Sequence, residues 1–385
     1  MRYSVEQIPL GDRRLRLFVK VPWQIHYGDP NWTPPLRADL LGSRILRITG
    51  QLTPEHPYHQ NADVTHFLAR SGKRLLGRVS VAINHRFNEY HNSSIGFFGF
   101  FETANNFAVA RALLDNARDW LGARKMDVMR GPGGYSTATH ESNQGILIDG
   151  FNTPPTIELT HNPPYYGEFL ERYGFAKVKD YHAYWIELGN KSLKRLEQLA
   201  HAILARRDIK MRQLNLSCLR EEVDRIVEIY NKAWVNNWGF LPLTDSEAEA
   251  MAASLRMVAD PGLIRFAYVS GELAAVLGAI PDPNVCLRPC WKRPLDTDVG
   301  RVFRLVFGRR RIDRTRLMFF GICPQFRKLG IDAVLYHEVL SYALNRGYRT
   351  CEPSMLLEDN DLILRASESM GGRRYKTWRI YEMPL

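Results

Sequence analysis

The stretch with the clearest chemical potential runs from Leu317 to Ala333, Leu-Met-Phe-Phe-Gly-Ile-Cys-Pro-Gln-Phe-Arg-Lys-Leu-Gly-Ile-Asp-Ala. An apolar run ends at Cys323-Pro324. A short basic turn follows, Arg327-Lys328-Leu329-Gly330, and a helix is predicted from Ile331. The first amides of a helix lack intrahelical acceptors and carry partial positive charge. Strand, turn and helix in this order make an anion site, and a diphosphate is its usual ligand. Gly330 lets the backbone approach a phosphate closely. Arg327 and Lys328 add charge.

Other combinations carry less. Gly134-Tyr-Ser136-Thr-Ala138, beside His140 and Glu141, approaches a nucleophile elbow, but it lacks the final glycine and no helical pattern follows. The polar loop from Gly131 to Gly150 is long, and such loops tend to serve function, so it is expected to line a substrate. Cys286-x3-Cys290 has no two further ligands at zinc spacing. The eleven histidines show no H-E-x-x-H pattern, and no metal is expected. Trp23, Tyr27 and Trp32 lie among four prolines and read as a packed aromatic loop.

The elements that must hold the turn follow from periodicity. Arg14 to Val21 alternates polar and apolar and predicts a strand. Val64–Ala69 and Leu75–Ile83 predict a hairpin around Ser71-Gly72-Lys73. Ser94–Glu102 reads as a buried strand, Ala104–Leu121 as a helix capped by Thr103, and Met126–Met129 as a short strand. Pro163-Pro164 opens a helix to Tyr173, and Tyr181–Leu188 closes the set. After a break at Gly189-Asn190-Lys191 the order begins again. Helices are predicted from Ser192, over Arg220–Ala233 and over Ser246–Val258. A hairpin follows over Phe266–Ile280, then strand Leu317–Cys323, helix Ile331–Arg346, strand Thr350–Leu356, helix Asp361–Met370 and a last strand Thr377–Glu382. One architecture is used twice, within residues 1–189 and 190–385.

The second half resembles the acyl-CoA-binding half of the GNAT N-acetyltransferase superfamily. The pattern there is an apolar strand, [QR]-x-x-G-x-[GA], a helix, a strand, an Asn, and a closing helix and strand. Arg327 and Gly330 match, while Asp332 stands where Gly or Ala is usual. Asn162-Pro-Pro-Tyr-Tyr-Gly-Glu-Phe-Leu-Glu-Arg-Tyr-Gly174-Phe175 resembles the family's closing motif in the first half, but Thr103-Ala-Asn-Asn-Phe107 offers nothing to hold a diphosphate. The segments Glu352-Pro-Ser354…Glu358-Asp-Asn360, Gly371-Gly372-Arg, Tyr375…Glu382 and Trp234…Pro242 are similar to a group of bacterial tandem GNAT-like proteins. The resemblance implies an α/β (α+β) fold of two GNAT-type domains, each a mixed sheet flanked by helices, the first with a degenerate cofactor motif. It implies acetyl-CoA or another acyl-CoA as substrate, held by Ile322, Cys323, Arg327, Lys328, Leu329, Gly330, Ile331 and Asn360.

Acyl transfer to an amine would then need three groups. A backbone N–H near Ile322 or Cys323 would polarise the thioester carbonyl. Glu352 or Glu358 would accept the amine proton; Glu352 also reads as a solvated or ion-paired strand residue. The usual tyrosine acid is replaced by Ser367, which leaves Tyr336 or water to protonate the thiolate. A non-catalytic acyl-CoA-binding or scaffold protein of the same fold is the alternative reading.

Composition bounds these readings. The chain has 385 residues, 45% hydrophobic and 24% charged, enough apolar material for two cores. No apolar stretch is long enough to span a bilayer, no apolar leader follows Met1, and five scattered cysteines suggest reduced thiols, so a cytoplasmic protein is expected. The formal charge is +11. Residues 288–316 hold ten Lys/Arg against three Asp, a local +7 that reads as a solvated face or as a site for nucleic acid, anionic lipid or a phosphorylated ligand. An aminoacyl-tRNA-dependent transferase is the reading that would use nucleic acid.

Overall fold

The computed structural model describes residues 3–45, 48–133, 144–289 and 297–385. The first half contributes β1 (Ser4–Pro9), α1 (Leu15–Ile25), α2 (Arg37–Leu41), β2 (Ala62–Ser71), β3 (Arg74–Asn84), α3 (His85–His91), β4 (Ile95–Thr103), α4 (Phe107–Gly122), β5 (Val128–Gly131), β6 (Ile146–Asp149), α5 (Tyr165–Tyr173) and β7 (Ala176–Glu187). The second contributes α6 (Asn190–Leu204), β8 (Ile209–Gln213), α7 (Leu219–Ala233), α8 (Asp245–Val258), β9 (Ile264–Val269), β10 (Glu272–Pro281), α9 (Asn284–Leu287), α10 (Asp298–Gly308), β11 (Arg314–Ile322), α11 (Ile331–Arg346), β12 (Thr350–Pro353), β13 (Leu356–Leu357), α12 (Asp361–Ser369) and β14 (Arg373–Pro384).

Local chemistry explains most boundaries. Thr244 and Glu247 form a reciprocal capping box on α8. Gly174 and Gly347 end α5 and α11 in the left-handed conformation that glycine adopts without strain. α4 is capped by Asn106, whose side chain accepts from the Ala108 N–H, and not by Thr103 as the sequence suggested. The segment around Arg14–Val21 is helical, which corrects the predicted strand. Its apolar residues fit both periods, but burial of Phe18 beside Leu15, Val19 and Pro22 follows the helical one.

All the path strands join one mixed sheet, in the order β1-β2-β3-β4-β5-β14-β7-β12-β11-β10-β9-β8. The closing strands are exchanged. β14, the end of the chain, sits between β5 and β7, while β7 of the first half borders β12 of the second. Neither half completes its sheet alone. Separate apolar cores form on the sheet, one around α4 and α5, one beneath α11 and one beneath α7 and α8. Each fully buried Leu, Ile or Phe there contributes roughly 1.5–3 kcal/mol.

Candidate functional site

β11 and β12 pair in parallel from Arg314–Thr350 to Leu317–Pro353 and then part. Two irregularities open this fork. Met318 is a bulge with no partner on β10. Met355 takes a positive φ of 57°, and β13 continues along β7 instead of β11. Beyond the fork β11 pairs with β10 alone. The Cys323 N–H donates to the Ala274 carbonyl at 2.9 Å, so alternation turns the backbone groups of Phe320 and Ile322 into the gap. Their carbonyls are met there, that of Phe320 by the Trp234 indole N–H at 2.9 Å and that of Ile322 by Arg327 Nε at 3.4 Å. Their N–H groups face the fork. Of the two amides nominated to polarise a thioester, Ile322 keeps that direction. Cys323 does not, because its amide belongs to the β10 ladder.

The basic turn follows directly. Lys328 and Gly330 have positive φ, 63° and 81°, and α11 begins at Ile331. Among the described residues nothing accepts from the N–H groups of Lys328, Leu329, Gly330, Ile331 or Asp332. Lys328 and Asp332 are exposed. Arg327 is exposed and has a structural contact as well. Its Nη2 donates to the Ala233 carbonyl at 2.8 Å, which ties the turn to the end of α7. Gly330 is also needed for packing: a Cβ there would lie 2.6 Å from Ile203 Cδ1 on α6.

At the base of the fork lies a buried polar cluster. Arg316 and Glu352 are register partners on β11 and β12. Glu352 is fully buried and accepts hydrogen bonds from Thr156 Oγ1 (2.9 Å) and the Tyr375 hydroxyl. Burial lifts its pKa above the usual carboxylate range, against the opposing pull of Tyr375, Arg316 and Thr156. Arg316 donates to Ser354 Oγ (2.8 Å) and the Ile157 carbonyl (2.7 Å), and pairs with Glu158 at 3.5 Å. Asp282, also raised by burial, pairs with Arg314 at 2.6 Å and accepts from the Ile157 N–H. Lys376 is buried, its pKa pulled down to about 8, and its ammonium holds the Gly150 and Thr153 carbonyls. The 150–158 segment of the first half is thereby fastened over the fork of the second.

The remaining nominated residues are placed as follows. Glu358 pairs with Lys177 at 2.6 Å and accepts from the Asp180 N–H, stapling β13 to β7. Asn360 caps α12 through the Ile363 N–H. Tyr336 is buried on α11, 5.3 Å from the ring of Phe320 on the fork edge, and burial raises its pKa. Ser367 is buried and donates to the Ile363 carbonyl. Residues 134–138 and Cys290 lie outside the described residues. Sequence reasoning missed Thr156, Arg316, Tyr375 and Lys376. Arg316 lies in the basic 288–316 segment, yet Arg301 and Arg316 are both 1% exposed. The available signal was Arg314-Thr-Arg316, two charges on one face at the entry of an apolar strand.

The first half carries a matching fork that is filled. β4 and β5 pair over Ile95–Phe97 and Val128–Arg130, and Phe100 takes a positive φ where β4 slips register. Beyond it the Thr103 N–H donates to the Tyr166 oxygen (2.9 Å), and the Tyr165 hydroxyl donates to the Thr103 carbonyl (2.9 Å). Tyr166 in turn donates to Glu102 (2.7 Å), which also meets His26 at 3.1 Å. Side chains of α5 thus satisfy the strand edge that the second half leaves open. Among the described residues no group of His, Cys, Asp and Glu is arranged to hold a metal ion.

One continuous sheet carrying two forked pairs of parallel strands, one from each half of the chain, gives the protein a tandem GNAT fold. A tandem GNAT protein from the clavulanic acid biosynthesis pathway superimposes with a TM-score of 0.57 at 13% identity, over 100% of this chain and 98% of that one. A conserved protein of Enterococcus faecalis V583, described as a probable N-acyltransferase, gives 0.50 at 8% identity, over 100% and 73%. The chain belongs to the family of the bacterial ceramide synthase of Caulobacter vibrioides, to which it is 31% identical over 96% of its own length and 95% of the relative's. It is also 28% identical to protein YghO of Escherichia coli, over 98% and 94% of the two chains. No family model matches. No helix among the described residues is long and apolar enough to cross a membrane.

Proposed function

We propose that the protein is an acyl-CoA-dependent N-acyltransferase that uses the fork of its second half and acylates the amine of a long-chain amino lipid. The observation that carries the reading is the run of undonated amides from Lys328 to Asp332 beside a strand edge whose N–H groups at Phe320 and Ile322 point into the gap. These residues fit a diphosphate followed by an extended amide-bearing arm. The lipid amine is suggested by the ceramide synthase relative, since a ceramide is a fatty amide of a long-chain amino alcohol.

In this reading the Ile322 N–H aims at the thioester carbonyl and stabilises the charge that develops on it. The amine nitrogen bonds to the carbonyl carbon while the carbon–sulfur bond breaks. Glu352, its pKa raised by burial, takes the proton that the amine sheds. Tyr336, on the turn side of the fork, gives a proton to the departing thiolate. Arg316, Thr156 and Tyr375 position Glu352.

Titration calorimetry with acetyl-CoA, palmitoyl-CoA and CoA, followed by mass spectrometry for the amide formed with a long-chain amino alcohol, tests the reading. Saturable binding and amide formation support it. No binding to any of the three removes it. Binding without transfer to any amine supports the second reading, a non-catalytic acyl-CoA-binding protein, which the engagement of both Glu352 oxygens favours.

A further inference from the structure

Helix α10 is built inside out. An ordinary surface helix turns its apolar stripe to the core. Here Val299, Val302, Phe303, Val306 and Phe307, spaced i, i+3, i+4, i+7 and i+8, form the outward stripe. Val299, Phe303, Val306 and Phe307 are 78, 63, 60 and 71% exposed. The polar face is the one that is buried. Arg301 donates to the carbonyls of Leu287 (3.0 Å), Pro35 (3.2 Å) and Pro34, and Arg304 reaches those of Cys286 and Arg288. These bonds fix the helix in its inverted orientation and dock it on the first half, where the Arg37 N–H donates to Asp298 at 2.6 Å.

The stripe forms one rim of a cavity of about 890 Å³. Leu15, Leu36, Leu41 and Leu52 line it, as does Ile45, which is 94% exposed. Five of the twelve large exposed hydrophobics among the described residues therefore surround one opening. Arg309, Arg310 and Arg311, all exposed, follow the helix directly, and Arg13 and Arg16 line the cavity mouth. Of the acidic neighbours, Asp12 is paired with Arg14 and Asp298 is held by Arg37, while Glu55 lines the cavity.

We propose that this face docks on an anionic phospholipid bilayer, with the α10 stripe in the interface, the arginine run on the headgroups and the cavity open to a lipid chain. A helix of eleven residues, about 16 Å long, suits an interfacial position and not a span. A nucleic acid would answer the arginines but not the phenylalanines. A second copy meeting this face by twofold symmetry would set one arginine run against the other. An anionic bilayer answers both features. The proposal does not depend on acyl transfer.

Co-sedimentation of the full-length protein with vesicles tests it, using phosphatidylcholine alone and phosphatidylcholine mixed with phosphatidylglycerol. Binding is expected to the mixed vesicles, weaker to phosphatidylcholine and weaker as salt rises. The variant Phe303→Asp/Phe307→Asp and the variant Arg309→Glu/Arg310→Glu/Arg311→Glu should each lower the partition coefficient roughly tenfold or more. Met257→Asp, at an exposed apolar site on α8, should not change it. The substituted side chains are exposed, and unchanged melting temperatures confirm folding. The proposal is overturned if the wild-type protein stays in solution with the mixed vesicles, or if both multiple variants sediment as the wild type does. A salt-stable dimer that the phenylalanine variant dissociates, without vesicle binding, overturns it in favour of a second copy.

Discussion

Arg316 and Glu352 stand opposite each other on parallel strands, one rung before those strands separate, yet their charged ends are engaged by different partners. Arg316 spends its hydrogen bonds on Ser354 and Ile157, and Glu352 takes its own from Thr156 and Tyr375. Burial keeps the carboxyl's pKa raised, although the two hydroxyls and the nearby Arg316 charge pull it down. Direct pairing with the guanidinium would hold it ionised and weakly basic.

Substitution of Glu352 by Gln should lower kcat by about 10²- to 10⁴-fold if this carboxylate accepts the amine proton. The Tyr375 hydroxyl lowers the Glu352 pKa by donating to it. Its removal in Tyr375→Phe should therefore move the acid limb of the kcat/KM profile to higher pH. A pH profile of the two variants checks both statements. A Tyr375→Phe limb that stays in place argues against Glu352 as the titrating group.

The turn at Gly330 gives a second expectation. Gly330→Asp adds charge beside the undonated amides, imposes a side chain at φ 81° and pushes against Ile203. Acyl-CoA affinity should fall at least tenfold by calorimetry. Gly330→Ala combined with Ile203→Ala removes the clash and adds no charge, and should keep more affinity than Gly330→Asp. Equal loss in both would trace the effect to backbone strain.

The filled fork of the first half should behave oppositely. Tyr166→Phe strips the Thr103 N–H of its acceptor and Glu102 of a donor. A cost of about 1–3 kcal/mol in stability is expected from these buried groups, with acyl-CoA affinity unchanged. Urea denaturation and calorimetry on the same variant separate the two. Lost affinity would mean that the first half also holds the ligand.

Asp39 provides a pH expectation. Burial, opposed by the backbone hydrogen bond at Leu36 and by Arg301 and aided by the nearby Asp298 and Glu158 charges, raises its carboxyl to about 6 in all. The folded value lies above the unfolded one of about 3.9. Its contribution to stability is therefore complete below about pH 4 and is lost as pH rises through 6. Asp39→Asn should gain roughly 2–3 kcal/mol over the wild type at pH 7.5 and almost nothing near pH 4. Denaturation curves at the two pH values decide it.

Much of the fold was legible because its signals are local. The hairpin at Gly72, the glycine ends of α5 and α11, and the strand–turn–helix from Leu317 follow from period and turn chemistry. Arg14–Val21 misled because a run with apolar residues at 15, 17, 18, 19 and 21 satisfies two periods, and only its seat on the sheet selects one. The fork chemistry was half legible. Glu352 could be nominated, but Tyr375, Thr156 and Lys376 lie far from it in sequence, and the buried role of Arg316 looks like surface charge when read in line. α10 was hidden for a related reason, since a basic segment draws attention to its charges and away from the apolar period between them. Strand exchange has no local signal: β14 and β7 read as ordinary closing strands whichever neighbour they take.

That exchange bears on how the protein can be taken apart. A polypeptide cut after Gly189 would display β5 without the strand that flanks it, and the other fragment would show β12 without β7. Each piece would present raw sheet edges to other chains and aggregate when made alone. Produced together, the fragments hold the missing strand for one another, so activity should return by complementation and never by domain isolation.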